Sequence, residues 1–150
     1  MIVREFVRND LPQCLELNKI QHKESNLNHH YLDLRKIAIS YLNSINNDAL
    51  KVFVLEEQGQ IIGCCAVSLQ QFLYNYSTYV HDCFYYVYPQ FRKGRTSLLL
   101  FNAVREWAVK NGALEIHFNY AHGAKYGKVE KFLNKLGYNK CSENYRKWVL

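Results

Sequence analysis

A chain of 150 residues is long enough for one domain to bury a core without structural staples, so we expect a single domain over residues 1–150. Hydrophobic residues make up 49% and charged residues 21%, which excludes intrinsic disorder, and no apolar run approaches the roughly 18 residues of a membrane-spanning helix. The net charge of +6 favours anionic partners, either nucleic acid or a phosphate-rich cofactor.

Hydrophobic periodicity divides the chain into strand-like and helix-like segments. In chain order, the predicted elements are a strand at residues 2–7, a helix that starts at Asn9-Asp10-Leu11-Pro12 and runs to about residue 22, a helix at 34–42, strands at 51–56, 60–70 and 79–88, a helix at 97–110, a strand at 114–118, a last helix around 129–136, and a closing strand at 145–150. Asp10 or Asn9 is expected to cap the first helix, and Gly59 to lie in a hairpin turn. The order indicates one α/β domain.

The cysteines and the first residues both indicate a cytoplasmic protein. The cysteine count of five is odd and no C-x-x-C motif occurs, so we expect reduced, mostly buried thiols and no metal site. Charged residues near the start argue against a signal peptide, and no membrane partner is expected.

Residues 87–100, VYPQFRKGRTSLLL, combine a strand end, a break, a short basic loop and a helix start. The first turn of a helix offers unpaired N–H groups and a partial positive charge to an anion. A glycine lets the backbone approach a ligand closely, basic side chains add full charges, and hydroxyls cap the helix or bind phosphate oxygen. The segment therefore predicts an anion site formed by Arg92, Lys93, Gly94, Arg95, Thr96 and Ser97.

This segment resembles the pyrophosphate loop of the GNAT superfamily of N-acetyltransferases, V-x-P-x-[YF]-R-x-x-G-x-[GA]. The residues that match in register are Val87, Pro89, Phe91 and Arg92. Arg95 and Ser97 stand at the two glycine positions, and the glycine comes one place earlier, as in small phage-type and prophage-type members. The opening strand with its helix start and the segment KFLNKLGY at 131–138 are also similar to the family, so the resemblance covers nearly the whole chain.

The resemblance implies a GNAT-like mixed, mostly antiparallel sheet of six to seven strands, splayed between strands four and five and flanked by about four helices. In the family, the pantetheine arm of CoA lies in that gap and pairs with the main chain of strand four, here Tyr85, Tyr86 and Val87. It further implies acetyl-CoA as co-substrate, direct transfer of the acetyl group to a primary amine of a small molecule or a protein, and dimers as a common assembly.

The implied reaction needs a base, because an alkylamine with a pKa of about 10 is mostly protonated at neutral pH. Several family members use a glutamate on strand four; the matching residue is His81, with Asp82 beside it. A regular strand lets only one of these neighbours face the cleft, and we favour His81, with a base acting through water left open. Leu133 stands where the family often has a tyrosine acid, for which Tyr126 or Tyr138 could substitute.

Two other functions remain open at this point. A non-catalytic module that binds CoA or a protein partner would account for Arg95 and Leu133 at their unusual positions. A nucleic-acid-binding protein would use the net charge and the aromatic residues, but an RNA-recognition signature and a one-sided basic helix are absent, so we expect no nucleic-acid partner. Acceptor specificity in this family lies in the first helices, about residues 17–45, which carry no motif here.

Overall fold

The computed structural model describes residues 1–92, 95–119 and 126–149, and of Tyr126 the main chain only. These residues form two compact units, one within Met1–Tyr120 and the other within Ala121–Leu150. The single domain over residues 1–150 therefore stays a prediction.

Five strands in the described part of the chain form one sheet, in the spatial order of the sequence. They are β1 (Ile2–Glu5), β2 (Leu50–Glu57), β3 (Gln60–Gln71), β4 (Thr78–Val87) and β5 (Glu115–His117). The first three pairings are antiparallel and β4 pairs with β5 in parallel, which confirms the mixed, mostly antiparallel sheet.

The predicted count of six to seven strands is wrong for the described residues, because the closing strand does not form. Residues 145–149 adopt no strand, and Tyr145 and Val149 are each 91% exposed. An alternating apolar pattern indicates a local preference, but a strand also needs a neighbour to complete its hydrogen bonds.

The described residues contain four α-helices, as expected. They are α1 (Leu11–Glu24), α2 (Leu34–Asn43), α3 (Thr96–Lys110) and, in the second unit, α4 (Tyr126–Lys135). Asp33 caps α2 by accepting the N–H groups of Arg35 and Lys36. The expected side-chain cap of α1 is wrong: the Asp10 carboxylate instead accepts the N–H of Val7 at 2.8 Å and two Arg4 nitrogens at 2.7 and 2.9 Å.

The helices of the first unit cover both faces of the sheet. On one face, Leu100, Val104 and Trp107 of α3 pack with strand residues such as Leu55 and Val80. On the other face, α1 and α2 contribute Cys14, Leu17 and Tyr41 to a second core with Val52, Val54, Cys64 and Tyr86. All five cysteines are free, and burial raises the pKa of the Cys64 and Cys65 thiols, so these two are poor nucleophiles.

A β-bulge at Cys83 changes which side chains of β4 face α3. Val67 of β3 pairs with Asp82 and the adjacent Ala66 pairs with Phe84, so Cys83 is an extra residue in β4. Val80 and Val87 both pack on the α3 face, although they stand an odd number of positions apart and would face opposite sides of a regular strand. The bulge thus lies between the predicted base and the predicted cofactor contacts.

Replacing Gly63 with alanine is expected to destabilise the fold by about 1–3 kcal/mol, because β3 approaches the end of β4 too closely for a side chain. A Cβ atom on Gly63 would lie 2.8 Å from Val87 Cγ2 and 3.1 Å from the Tyr86 carbonyl oxygen. Urea unfolding measures the loss. Gly127→Ala is the control, since a Cβ there meets nothing within 4 Å; equal unfolding midpoints for both variants would contradict the prediction.

Candidate functional site

The end of β4 leads through a short turn into the N-terminus of α3. Residues Pro89–Phe91 form a 3₁₀ turn, and Arg95 precedes the helix with an ordinary right-handed backbone (φ −83°, ψ −7°). Within the described residues, the Arg95 side chain makes no capping hydrogen bond and the first turn of α3 contains no acidic residue. Thr96 is buried and Ser97 half-buried, while Lys93 and Gly94 lie outside the described residues.

Arg92 joins this turn to both β4 and α1. Its Nε donates to the Val87 carbonyl oxygen at 2.7 Å, and its Nη2 lies 3.3 Å from Glu24 Oε2. The guanidinium also lies 4.8 Å from the centroid of the Tyr86 ring, and the Tyr86 hydroxyl donates to Glu24 Oε1 at 2.7 Å. Burial and the bond to Glu24 raise the pKa of Tyr86. A carboxylate at the end of α1 thus holds both the strand and the basic turn.

The direction of the Val87 carbonyl indicates which main-chain groups of β4 point away from β3. Because it accepts Arg92 Nε, this carbonyl points away from β3. Main-chain groups alternate along an antiparallel pair, so those of Tyr85 point the same way and those of Tyr86 point towards β3. Tyr85 therefore presents its main chain at the outer edge of β4, and the Val87 carbonyl is already engaged. The predicted main-chain contact of Tyr86 does not fit this direction, and its side chain contacts Glu24 and Arg92 instead.

The pairing of β4 with β5 is short. The parallel ladder consists of three pairs and ends where His81 stands opposite His117. Within the described residues, positions 82–87 of β4 have no strand partner on that side. The splay between strands four and five stays a prediction, since residues 120–125 lie outside the described residues.

His81 and Asp82 both lie at the end of the ladder, and Asn119 contacts both side chains. Asp82 Oδ1 accepts the main-chain N–H of Asn119 at 2.7 Å and its side-chain Nδ2 at 3.0 Å. The same Nδ2 lies 3.4 Å from His81 Nδ1. Burial raises the pKa of Asp82 above its ordinary value, although the two bonds from Asn119 oppose this rise.

Tyr85 places its ring on the α3 side of the sheet. The ring centroid lies 5.3 Å from those of both Phe101 and Phe118. Its hydroxyl is buried, with the Ser97 hydroxyl beside it. Burial raises the pKa of Tyr85, and the nearby Ser97 hydroxyl and Arg92 cation offset only part of that rise. The phenol therefore stays neutral and serves packing.

At the start of β4 three rings pack against one another. The Tyr79 ring lies 4.3 Å from His117 and 4.8 Å from Phe72 between centroids, and Phe72 lies 6.2 Å from His117. His117 Nε2 in turn lies 2.7 Å from Glu115 Oε2. Within the described residues, no group of three His, Cys, Asp or Glu side chains could hold a metal ion.

The structure thus brings together most of the predicted site along one strand edge and its following turn. Tyr126 opens α4 in the second unit, with its side chain outside the described atoms, so its predicted role as an acid stays a prediction. Sequence reasoning missed Glu24 and Asn119. A polar residue directly after a strand is the only local signal for Asn119, and nothing in the sequence around Glu24 indicates that it binds Arg92.

The sequence matches the model of one protein family, described as the acetyltransferase (GNAT) family, over residues 11–138. The chain belongs to the GNAT family of acetyltransferases. The match is to the family as a whole, so the resemblance to phage-type members stays a prediction. No curated protein sequence matches the chain.

Solved structures of GNAT acetyltransferases share the fold at low sequence identity. A predicted acetyltransferase from Clostridium acetobutylicum, solved with acetyl-CoA, is 17% identical with a TM-score of 0.78 and covers 98% of this chain and 95% of its own. The aminoglycoside acetyltransferase AAC(6')-Iy, bound to the bisubstrate analogue CoA-S-monomethyl-acetylneamine, is 20% identical with a TM-score of 0.75, at 97% coverage of both chains. An aminoglycoside acetyltransferase from an uncultured soil metagenomic sample, bound to sisomicin, is 14% identical with a TM-score of 0.73 and covers 99% and 95%.

None of the helices in the described ranges is both long and apolar enough to cross a membrane.

Proposed function

We propose that this GNAT protein is an acetyl-CoA-dependent N-acetyltransferase that transfers the acetyl group directly to a primary amine. The observation that carries the proposal is the edge of β4 at positions 82–87, which has no strand partner among the described residues and leads into the turn before α3. A main-chain edge suits the amides of the pantetheine arm, and the helix N-terminus with its basic residues suits a diphosphate. Acetyl-CoA contains both the pantetheine amides and the diphosphate, in the order in which β4 and the turn would bind them.

The diphosphate is assigned to the turn and the first turn of α3, formed by Arg92, Lys93, Gly94, Arg95, Thr96 and Ser97. Arg92, Lys93 and Arg95 supply the positive charge, of which the ion pair between Arg92 and Glu24 offsets a part. The pantetheine amides are assigned to the outward main chain of Tyr85 and to the N–H of Val87, whose carbonyl Arg92 occupies. Tyr86 supports the turn through Glu24 rather than contacting the arm.

In the proposed reaction the amine nitrogen bonds to the acetyl carbon, the carbon–sulfur bond breaks, and CoA leaves as a thiolate. The amine must be deprotonated to attack, and it loses a further proton as the amide forms. His81 and Asp82 are titratable side chains of β4 at the end of the β4–β5 ladder, beside the edge assigned to the thioester. Tyr126 is the proposed donor of a proton to the leaving thiolate.

A cationic small molecule is our first choice of acceptor. Solved relatives are bound to sisomicin and to a bisubstrate analogue built on acetylneamine, which shows that proteins of this fold hold amine acceptors of that size. Protein amines remain the alternative. We also retain a homodimer and a cytoplasmic location as proposals from the family resemblance.

A non-catalytic CoA-binding module is the second candidate function, favoured by Leu133 on α4 at the position of the family's usual tyrosine. The two functions differ in turnover. With a panel of amines that includes aminoglycosides and diamines, a free-thiol assay should show CoA release above the buffer rate for an enzyme and no increase for a binding module.

Titration calorimetry with acetyl-CoA is the first test of the proposed function. We expect binding with one site per chain and a dissociation constant in the micromolar range, about −8 kcal/mol, since the diphosphate and the pantetheine arm are both held. CoA without the acetyl group should bind comparably. Absence of binding at millimolar acetyl-CoA would rule out the transferase and the binding module together.

A further inference from the structure

The β4–β5 ladder ends where the side chain of Asp82, rather than its main chain, accepts a hydrogen bond from the β5 segment. After His81 and His117, a continued parallel ladder would give the next N–H of the β5 segment a main-chain acceptor on β4. Asn119 instead donates its main-chain N–H to Asp82 Oδ1 at 2.7 Å. Because a carboxylate takes the place of the main-chain acceptor, the ladder of the described residues stops there, and positions 82–87 of β4 have no strand partner among them on that side.

The same carboxylate fixes the orientation of the Asn119 side chain. Asn119 Nδ2 lies 3.0 Å from Asp82 Oδ1, and that oxygen also accepts the main-chain N–H of Asn119, so it acts as a hydrogen-bond acceptor. The amide nitrogen rather than the amide oxygen must therefore face Asp82, since the flipped amide would place two acceptors in contact. The orientation of the Asn119 amide is therefore fixed by which of its atoms can donate a hydrogen bond, since its shape alone would allow both orientations.

This orientation decides the tautomer of the neighbouring histidine. Asn119 Nδ2 lies 3.4 Å from His81 Nδ1, so an N–H donor faces that ring nitrogen. A donor can face Nδ1 favourably only if Nδ1 carries a lone pair, which leaves the proton of the neutral ring on Nε2.

We propose that Asn119 is a positioning residue which, anchored on Asp82, holds His81 as the Nε2–H tautomer. The catalytic meaning of this assignment rests on the proposed acetyl transfer, whereas the tautomer itself does not. His81 then offers a hydrogen-bond donor at Nε2 rather than a lone pair, and the proton released by the amine passes to water. Asp82 serves as the anchor of the open edge and not as the base.

Long-range ¹H–¹⁵N spectra of the histidine rings test the tautomer directly, with His81→Gln used to assign the signals. The wild-type protein should show His81 with Nε2 protonated, and Asn119→Ala should give a mixture or the Nδ1–H form. A wild-type His81 with Nδ1 protonated, or an unchanged pattern in Asn119→Ala, would overturn the proposal. Asp82→Asn provides a second variant, since an amide at 82 no longer dictates the orientation of Asn119.

Steady-state kinetics separate positioning from simple stability. Asn119→Ala keeps its main-chain N–H to Asp82, so we expect KM for acetyl-CoA to change by less than about twofold while kcat falls about tenfold. Asn111→Ala is the matched control, because Asn111 donates its amide to the Trp107 carbonyl at 2.7 Å at the far end of α3, and its kcat should not change. An unchanged kcat in Asn119→Ala, or a loss confined to KM, contradicts the assignment. The spectra remain decisive even if acetyl-CoA does not bind, so the two proposals fail separately.

Discussion

Arg92→Leu is expected to weaken acetyl-CoA binding by about tenfold to a hundredfold, because a hydrogen bond to a charged group contributes about 1.5–3 kcal/mol. The substitution removes a full charge from the turn and also the bond that ties the turn to the Val87 carbonyl at 2.7 Å. Titration calorimetry measures the change. Arg92→Lys should recover only part of the affinity, since a lysine keeps the charge but not the planar group that contacts Val87, Glu24 and the Tyr86 ring together.

The control for this prediction is Arg105→Leu, which removes the same charge from an exposed position on α3. Its affinity for acetyl-CoA should change by less than about twofold, as a distant exposed charge is screened by salt. If both variants lose the same affinity, attraction by the overall net charge explains the binding and the contacts of Arg92 do not. The stability of Arg92→Leu should remain close to wild type, because the ion pair with Glu24 is about 40% exposed on both sides and contributes little.

Leu100→Ala is expected to destabilise the protein by about 2–5 kcal/mol, the range for truncating a leucine in a packed core. Leu100 is fully buried on the face of α3 that packs against the sheet, in the same cluster as Val87 and Val104. The neighbouring strands cannot close the resulting cavity without moving α3. Urea or thermal unfolding measures the loss, which should be large enough to lower the midpoint clearly for a chain of this length.

Val109→Ala on the same helix is the matched control. Val109 is 70% exposed, so the same kind of truncation should change the free energy of unfolding by less than about 0.5 kcal/mol. Because α3 also supplies the helix N-terminus of the proposed diphosphate site, Leu100→Ala should weaken acetyl-CoA binding as well, whereas Val109→Ala should not. Equal stability of the two variants would show that α3 does not pack on the sheet as described.

Several local features of the fold could be predicted because a few neighbouring residues determine them. Gln58 and Gly59 adopt positive φ angles of 50° and 79°, as a tight hairpin turn requires, and the sequence EEQGQ indicated this turn. The long helix α3 follows from its apolar spacing and the glycine after it. The basic loop before α3 could be predicted for the same reason, because a strand end, a glycine and a helix start stand next to one another in the sequence.

Features that join distant residues could not be predicted in the same way. The bulge at Cys83 depends on how β3 and β4 align, and the sequence of β4 alone would place Val80 and Val87 on opposite faces. The predicted closing strand does not form, for a related reason. The pattern of residues 145–149 indicates a preference for extended structure, but it does not provide a neighbouring strand to pair with.

The sequence by itself determined the family and the place of the candidate anion site. A basic, glycine-containing turn stands at a helix N-terminus after a strand rich in aromatic residues, in the order typical of a GNAT acetyltransferase. Only the tertiary structure decided which side chains act together, since Asp82 meets Asn119 across 37 positions and Arg92 meets Glu24 across 68. Local preferences depend on residues within a few positions of one another. Contacts between residues so far apart in sequence form only when the sheet and its helices have brought the chain together. For this reason only the tertiary structure shows that Asp82 lies at the end of the β4–β5 ladder and that Glu24 supports the basic turn.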